Sequence, residues 1–256
     1  MRPFETSLSA CKLDLFSIQY LMMKIHRRYR PVIPLHVYMT WKQKPLPPLM
    51  QQNVHRLRQL NPEFTFHVYT DEECLAFIQK HFTPDVAEAF NALLPGAYKA
   101  DLWRLCILYI HGGYYMDIKL SPIKQFRLIE LSESEHFVLD RPKQSLHIYN
   151  ALMVCKANNP FLFQCIRQIV HHVSIRYYGN SMLSPTGPEL LGRVASSHKL
   201  NIDLIYPLAF PDHIMYKGAL ILRNYPYYRN EQRHHECLVN QPHYQTAWNN
   251  RQIYAN

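Results

Sequence analysis

Short apolar runs alternate along the first half of the chain with longer stretches in which apolar residues recur at helical spacing. This alternation predicts strands separated by helices. Thr70 and Glu73 have the spacing of a capping box, which marks a helix start, and Gly112-Gly113 follows a long apolar helix as a stop. Strands are predicted at 33–39, 64–69 and 114–118. Four helices are predicted: one that ends near 60, one that ends near 81, one that starts at 83–84, and one that spans 97–111.

The second half continues the pattern more weakly. Strands are predicted at 137–139 and 147–154, and helices at 159–178 and from 187 onward, while the prolines of the last third predict mostly loops. Strands separated by helices of 10 to 18 residues favour an α/β fold with a mainly parallel central sheet flanked by helices. No linker or repeat divides the chain, so we expect a single domain over 31–256.

Residues 1–30 form a different segment. Apolar residues at 15, 18, 22 and 25 share one helical face, and a basic cluster follows at 24–30. The pattern predicts an amphipathic helix, either docked on the domain or in peripheral contact with a membrane surface. No apolar run is long enough for a transmembrane helix, and no cleavage site follows that would indicate a signal peptide.

Composition narrows the class of protein. Of 256 residues, 48% are hydrophobic and 18% charged, which excludes a disordered or collagenous chain. The net charge of +9 indicates an anionic partner, leaving nucleic acid, phosphorylated ligands and acidic membranes open. The six cysteines show no CxxC pair, so we expect reduced thiols and a cytoplasmic protein, with membrane contact only at its periphery.

Four charged residues stand where chemistry is expected. Asp101 and Arg104 lie three residues apart on the helix 97–111, so they share a face of an otherwise apolar helix. Asp117 and Lys119 follow the strand 114–118, and ligands of open α/β sheets bind beyond the carboxyl ends of strands. Such a group offers a carboxylate for a ribose or a metal and a cation for a diphosphate. A surface ion pair and a solvated turn are the alternatives.

An ordered set of motifs resembles glycosyltransferase family 32 and its neighbours, the GT-A type enzymes with a DxD motif. The set includes Thr40-Trp41 ending the first strand, Asn61-Pro62, Ala-Asp-Leu-Trp-Arg at 100–104, and Gly-Gly-Tyr-Tyr-Met-Asp at 112–117. Asp140-Arg141-Pro142, 148–151 and 185–188 are similar to a branch from large DNA viruses and microbial eukaryotes.

The resemblance implies transfer of a sugar, with retention, from a UDP- or GDP-sugar to an acceptor hydroxyl on a glycan or glycoprotein. It implies that Trp41 lies near the base, that Asp101 and Arg104 lie near the donor sugar, and that Asp117 is the first Asp of DxD. Asp140 is a further catalytic candidate at a strand end. Other implied donor-binding residues are Thr40, Gly113, Tyr115, Asn150, Thr186, His243 and Trp248.

Lys119 departs from the family pattern because it stands where the second Asp would bind a divalent cation. A requirement for Mn²⁺ or Mg²⁺ is therefore open, with Asp117 and His243 as the candidate ligands. Lysine itself can offset the charge of the leaving diphosphate.

Three other functions stay open at this stage. The altered motif is compatible with a catalytically inactive sugar-nucleotide-binding protein, or with a transferase for a group other than sugar. The positive charge and many aromatic residues are compatible with a nucleic-acid-binding protein. However, the basic residues are dispersed and no helix-turn-helix, RNP or zinc-finger pattern occurs, so we expect no nucleic-acid partner.

Overall fold

Two sheets organise the protein in the computed structural model, which describes residues 28–140, 146–238 and 243–255. The predicted N-terminal helix falls almost wholly outside these ranges. The strands found in them are β1 His36–Thr40, β2 Thr65–Tyr69, β3 Gly113–Met116, β4 Leu120–Pro122, β5 Phe137–Asp140, β6 Leu152–Cys155, β7 Ile202–Tyr206, β8 His213–Tyr216 and β9 Ala219–Asn224.

The first sheet has four strands in the order β2-β1-β3-β6, with β1 parallel to β2 and to β3, and β6 antiparallel. The second has the order β4-β9-β8-β7-β5, and only β5 and β7 pair in parallel. The predicted α/β class with flanking helices is confirmed, and the parallel arrangement applies to the first sheet. The mostly antiparallel second sheet is an addition that the sequence did not predict.

Helices separate the three parallel strands of the first sheet and cover it. Thr70 accepts a hydrogen bond from the backbone N–H of Glu73, whose side chain in turn bonds the N–H of Thr70, so the predicted capping box is confirmed. Between 28 and 255, within the described ranges, the α-helices are α1 Pro48–Leu60, α2 Asp71–His81, α3 Pro84–Ala92, α4 Gly96–His111, α5 Pro160–Ser174, α6 Pro188–Ala195, α7 Tyr228–Leu238 and α8 Tyr244–Asn249.

The prediction of loops in the last third was wrong, because β7, β8, β9, α7 and α8 all lie there. Their strands have only four to six residues. A two-residue turn at Lys217-Gly218, where both residues have positive φ, joins β8 to β9. The predicted strand at 147–154 is also shorter, because only β6 is regular there.

Alternate side chains of the first sheet enter two separate cores. Tyr38 and Tyr115 face the core that contains α4 and α5, whereas Val37 and Tyr114 face the core beneath α1 and the second sheet. Helix α4 is buried along its middle, with Leu102 to Leu108 at most 5% exposed. The first sheet therefore lies between two apolar layers, and polar groups are left for the ends of its strands. No helix in the described ranges is long and apolar enough to cross a membrane.

Candidate active site

A cleft of about 1140 Å³ opens at the carboxyl ends of β1 and β3. These strands are parallel neighbours, so the residues that follow them meet at one edge of the sheet. Thr40 ends β1, Asp117 directly follows β3, and the first half of α4 contributes Asp101 and Arg104 to the same cleft. The topology thus brings together the four charged residues that the sequence singled out, Lys119 included.

Asp101 and Arg104 are buried and bound to each other. An Nη atom of Arg104 lies 3.2 Å from Oδ1 of Asp101, and the two side chains are 6% and 11% exposed respectively. Asn150 donates to the same oxygen at 2.9 Å, and the Thr186 hydroxyl donates to Oδ2 at 2.7 Å. Arg104 also donates to the backbone carbonyls of Ala100 and Asn150. Because these groups are satisfied within the protein, they form a fixed support.

Asp117 connects this pair to Lys119. Its Oδ2 lies 2.6 Å from the Lys119 ammonium, and its Oδ1 lies 3.5 Å from Arg104 and accepts the Tyr115 hydroxyl at 2.9 Å. The guanidinium of Arg104 lies over the ring of Tyr115, 4.3 Å from its centre. Lys119 lies 5.7 Å from the ring centre of Tyr149. Two carboxylates and two cations therefore form one continuous network, which we call the Asp–Arg–Asp–Lys quartet: Asp101, Arg104, Asp117 and Lys119.

Charge pairing in the quartet sets its ionisation. Burial alone would raise the pKa of Asp117, but Lys119 and Arg104 lower that pKa below its usual value. Burial alone would lower the pKa of Lys119, yet Asp117 and Tyr149 hold it well above its usual value. Burial raises the pKa of Asp101 despite its bonds to Arg104, Thr186 and Asn150. The lysine is therefore a permanent cation near neutral pH.

Most of the predicted site residues line the cleft, and three do not. Gly113, Thr186 and Trp248 are absent from its lining. A Cβ at Gly113 would lie 2.8 Å from the backbone oxygen of His36, so this glycine allows close packing of β1 and β3. Thr186 is fully buried and supports Asp101. The predicted residues that do line the cleft are Thr40, Trp41, Asp101, Arg104, Tyr115, Asp117, Lys119, Asp140, Asn150 and His243.

Trp248 turns away because its indole N–H donates to the carbonyl of Tyr178 at 2.9 Å. The structure gives Trp248 a structural contact outside the cleft lining, and its donor contact stays a prediction. His243 keeps a place at the rim, but its Nδ1 accepts the backbone N–H of Gln245 at 3.3 Å and caps α8. A ligand would bind His243 through its other ring nitrogen, Nε2.

The structure adds cleft residues that sequence reasoning missed. Tyr149 lies next to the predicted Asn150, so its position in the same motif was a usable signal. Arg229 pairs with Asp212 across the cleft rim, with Nη2 2.5 Å from Oδ1. Asp212 directly precedes β8 and Arg229 lies in α7, two elements that the sequence did not predict. The missed lining residues that carry charge or a phenol are Lys42, Asp71, Tyr98, Tyr149, Glu189, Arg193, Tyr206, Asp212, Tyr228, Arg229 and Tyr244.

The residues present do not fit a cation site of the DxD type. Both oxygens of Asp117 are engaged by protein donors, and position 119 supplies an ammonium. A divalent ion about 4 Å from that ammonium would meet a repulsion of about 8 kcal/mol at an effective dielectric constant near 20. Within the described part of the chain, no three His, Cys, Asp or Glu side chains are grouped to hold a metal. The candidate pair Asp117 and His243 thus lacks a third protein ligand there.

Comparison with known proteins connects this site to sugar transfer. Residues 47–138 match the family model described as a glycosyltransferase sugar-binding region containing a DXD motif. Over 200 residues, 77% of this chain and 54% of the relative, the chain is 28% identical to inositol phosphoceramide mannosyltransferase 2 of Schizosaccharomyces pombe. It is 29% identical over 121 residues, 44% of this chain and 30% of the relative, to the initiation-specific alpha-1,6-mannosyltransferase of Candida albicans.

A solved structure named PaToxG glycosyltransferase has a TM-score of 0.49 at 15% identity, covering 70% of this chain and 76% of that one. The chain spans about a third to a half of the length of the two curated relatives just named. The matched segment 47–138 contains the whole quartet. The match of segment 47–138 to that family model confirms the resemblance to DxD-type glycosyltransferases.

Proposed function

From the similarity to DXD glycosyltransferases we propose that this protein transfers a hexosyl group from a UDP- or GDP-sugar to an acceptor hydroxyl. The observation that carries the proposal is the Asp–Arg–Asp–Lys quartet, in which Asp101 and Arg104 are buried while Asp117 and Lys119 are about one-fifth exposed in the cleft within the matched segment. Ligand pockets usually measure about 300–1,000 Å³, so this cleft has room for a nucleotide, a sugar and part of an acceptor.

The position of each group supports an order of binding along the cleft. Trp41 lies at the end of β1 with Lys42 and Asp71 nearby on the lining, and an aromatic ring there suits a nucleobase. The quartet lies beyond it, where the diphosphate and the sugar would follow. Asp101 has three of its roughly four acceptor sites filled by Arg104, Asn150 and Thr186. Its main role in the proposal is to position Arg104.

The chemistry requires charge stabilisation at the leaving group. As the bond from the anomeric carbon to the phosphate oxygen breaks, its electron pair stays on the diphosphate, while the acceptor oxygen forms the new bond. Fixed cations aimed at that developing charge lower the barrier, because they need no reorganisation during the reaction. Arg104 and Lys119 provide such cations. The acceptor proton passes to the departing phosphate. The anomeric NMR signal of the product would show whether the configuration is retained.

The lining of the cleft favours a nucleotide-sugar over a nucleic acid. Its described residues include six carboxylates alongside five Lys or Arg side chains. Grooves that follow a nucleic-acid backbone are strongly basic. The excess positive charge of the chain therefore lies elsewhere than in this cleft.

Mannose is the first donor sugar to test, because both curated relatives reported above are named mannosyltransferases. The acceptor in the proposal is a sugar or polyol hydroxyl on a glycan, glycoprotein or glycolipid. The experiment measures release of nucleoside diphosphate from a panel of UDP- and GDP-sugars, with and without simple sugar acceptors. We expect one donor to be turned over by the wild type.

The decisive comparison is Arg104→Ala against Arg167→Ala. Arg167 pairs with Asp85 on the exposed surface of α5 and α3, so it controls for the loss of a paired arginine. We expect Arg104→Ala to lose turnover by about 10²–10³-fold, the scale for one donor to a developing oxyanion, and Arg167→Ala to retain it. Donor binding without turnover in the wild type would instead indicate an inactive sugar-nucleotide-binding protein.

A further inference from the structure

The quartet contains a lysine where a metal-binding carboxylate would complete DxD. Hydrogen bonds hold the backbone on both sides of this lysine. Asn53 is 5% exposed, and its amide donates to the carbonyls of Ile118 and Leu120 at 3.0 and 2.9 Å. The carbonyl of Lys119 itself accepts the N–H of Tyr225 at 2.9 Å. Three successive carbonyls are thus held in place. A solvated turn would not need this support.

The lysine also reaches the cleft. Its side chain is 20% exposed and lines the cleft between Asp117 and the ring of Tyr149. An ammonium group has three N–H donors, and Asp117 accepts one of them at 2.6 Å while the Tyr149 hydroxyl accepts another. Since the backbone is held, the ammonium can move only by rotation of its own side chain, between Asp117 and a ligand in the cleft.

We propose that Lys119, together with Arg104, stabilises the charge that develops on the donor diphosphate in place of a divalent cation, so that this protein binds and turns over its donor without metal. The inference rests on the proposed function and specifies how its site handles charge. The lysine stays protonated throughout: the electron pair of the broken bond moves to the phosphate oxygen, and the ammonium only stabilises it. No oxidant, reductant or further reactant is involved.

The repulsion between Lys119 and a divalent ion favours this arrangement. The Lys119 ammonium lies 2.6 Å from a carboxylate oxygen of Asp117. A metal ion that bound Asp117 would have to displace the lysine from that oxygen. It would then find one protein carboxylate where DxD enzymes offer two. The Lys119 ammonium and a divalent metal ion therefore exclude each other at Asp117.

The test compares the wild type with Lys119→Ala, Lys119→Arg and Lys119→Asp, using Lys44→Ala as the matched control. Lys44 pairs with Glu73 at 2.8 Å, but this pair is about half exposed and does not line the cleft. Calorimetry with UDP and with GDP, in chelator and in Mn²⁺, gives binding directly. Electron paramagnetic resonance of free Mn²⁺ counts bound metal, and donor turnover is measured in parallel.

We expect the wild type to bind its nucleoside diphosphate equally, within about twofold, in chelator and in Mn²⁺. Lys119→Ala should lower kcat by about 10²–10³-fold, Lys119→Arg should restore part of it, and Lys44→Ala should match the wild type. Lys119→Asp should gain Mn²⁺ binding and Mn²⁺-dependent affinity. Thermal melting identifies any variant that fails to fold. If Lys119→Ala or Lys119→Asp fails, binding and turnover of Lys119→Arg are compared with those of the wild type.

Two results would overturn the inference in different ways. Wild-type binding and turnover that vanish in chelator, with Lys119→Ala unchanged, would leave the proposed function intact and make the lysine a bystander. No binding of either nucleotide and no turnover under any condition would overturn the proposed function and this inference with it.

Discussion

Replacing Asp101 by Asn removes one charge from the quartet while keeping its shape. Removing one partner of a buried ion pair costs about 3–5 kcal/mol, because the other charge is left uncompensated. Here Arg104 keeps Asp117 at 3.5 Å, so we expect the lower end, about 3 kcal/mol. The new amide also presents N–H groups to Asn150 or Thr186, which are donors in the wild type.

The expected loss can be measured as a shift in the melting temperature. For a domain of this size each 1 kcal/mol changes the melting temperature by about 2–4 °C, so Asp101→Asn should melt about 6–12 °C lower. Urea unfolding at neutral pH gives the free energy independently. The folded fraction at 20 °C should still be high enough to show that donor turnover is lost.

A double-mutant cycle with Thr186→Val tests the reasoning further. Thr186 touches Asp101 at 2.7 Å and has no exposed surface, so the two changes should be non-additive by about 0.5–3 kcal/mol. Arg167→Ala, at an exposed pair, should cost less than about 1 kcal/mol. If Asp101→Asn costs no more than this control, Asp101 does not support Arg104 and the description of the buried network is wrong.

Three further predictions address separate features. Trp41→Ala should weaken donor binding by about 1–3 kcal/mol, measured by calorimetry, because it removes a stacking surface; unchanged donor affinity would place the base elsewhere. Thr70→Ala should lower the free energy of unfolding by about 1 kcal/mol through loss of the capping box, and an unchanged urea midpoint would contradict this. Burial holds the pKa of His172 below its usual value of 6.5, so its contribution to stability is present above pH 6.5 and is lost as pH falls through the lowered pKa. Urea unfolding from pH 7.5 to 5 should show this loss, and His172→Gln should flatten the slope; an equal slope in both proteins would refute the assignment.

The sequence was most informative where one local rule acts alone. The capping box at Thr70 and the stop at Gly112 were both predictable, since each is satisfied within a few residues. Gly112 has φ of 64°, and a Cβ there would lie 2.6 Å from the backbone N of Ala157, so glycine is required twice over. The same locality made the quartet visible as two short motifs.

Features that depend on distant partners were not predictable in the same way. Thr186 has the sequence of a turn residue before a helix, and only tertiary structure brings it to Asp101. The motif around Trp248 predicts a ligand contact, yet its indole N–H donates to the carbonyl of Tyr178. Strands β7, β8 and β9 lie among the prolines of the last third, which favour loops, so Asp212 beside β8 and Arg229 in α7 had no local signal.

The supports of the quartet come from positions far apart along the chain. Asp101 bonds Asn150 and Thr186, which are 49 and 85 residues away, and Asn53 holds the carbonyl of Leu120 across 67 residues. Contacts of this range form late in folding, because the entropy of closing long loops must be overcome first. A partly folded chain would therefore have its helices without the assembled quartet. Under the proposed function, donor binding would report complete folding, and screening for it would recover only variants in which both sheets have assembled.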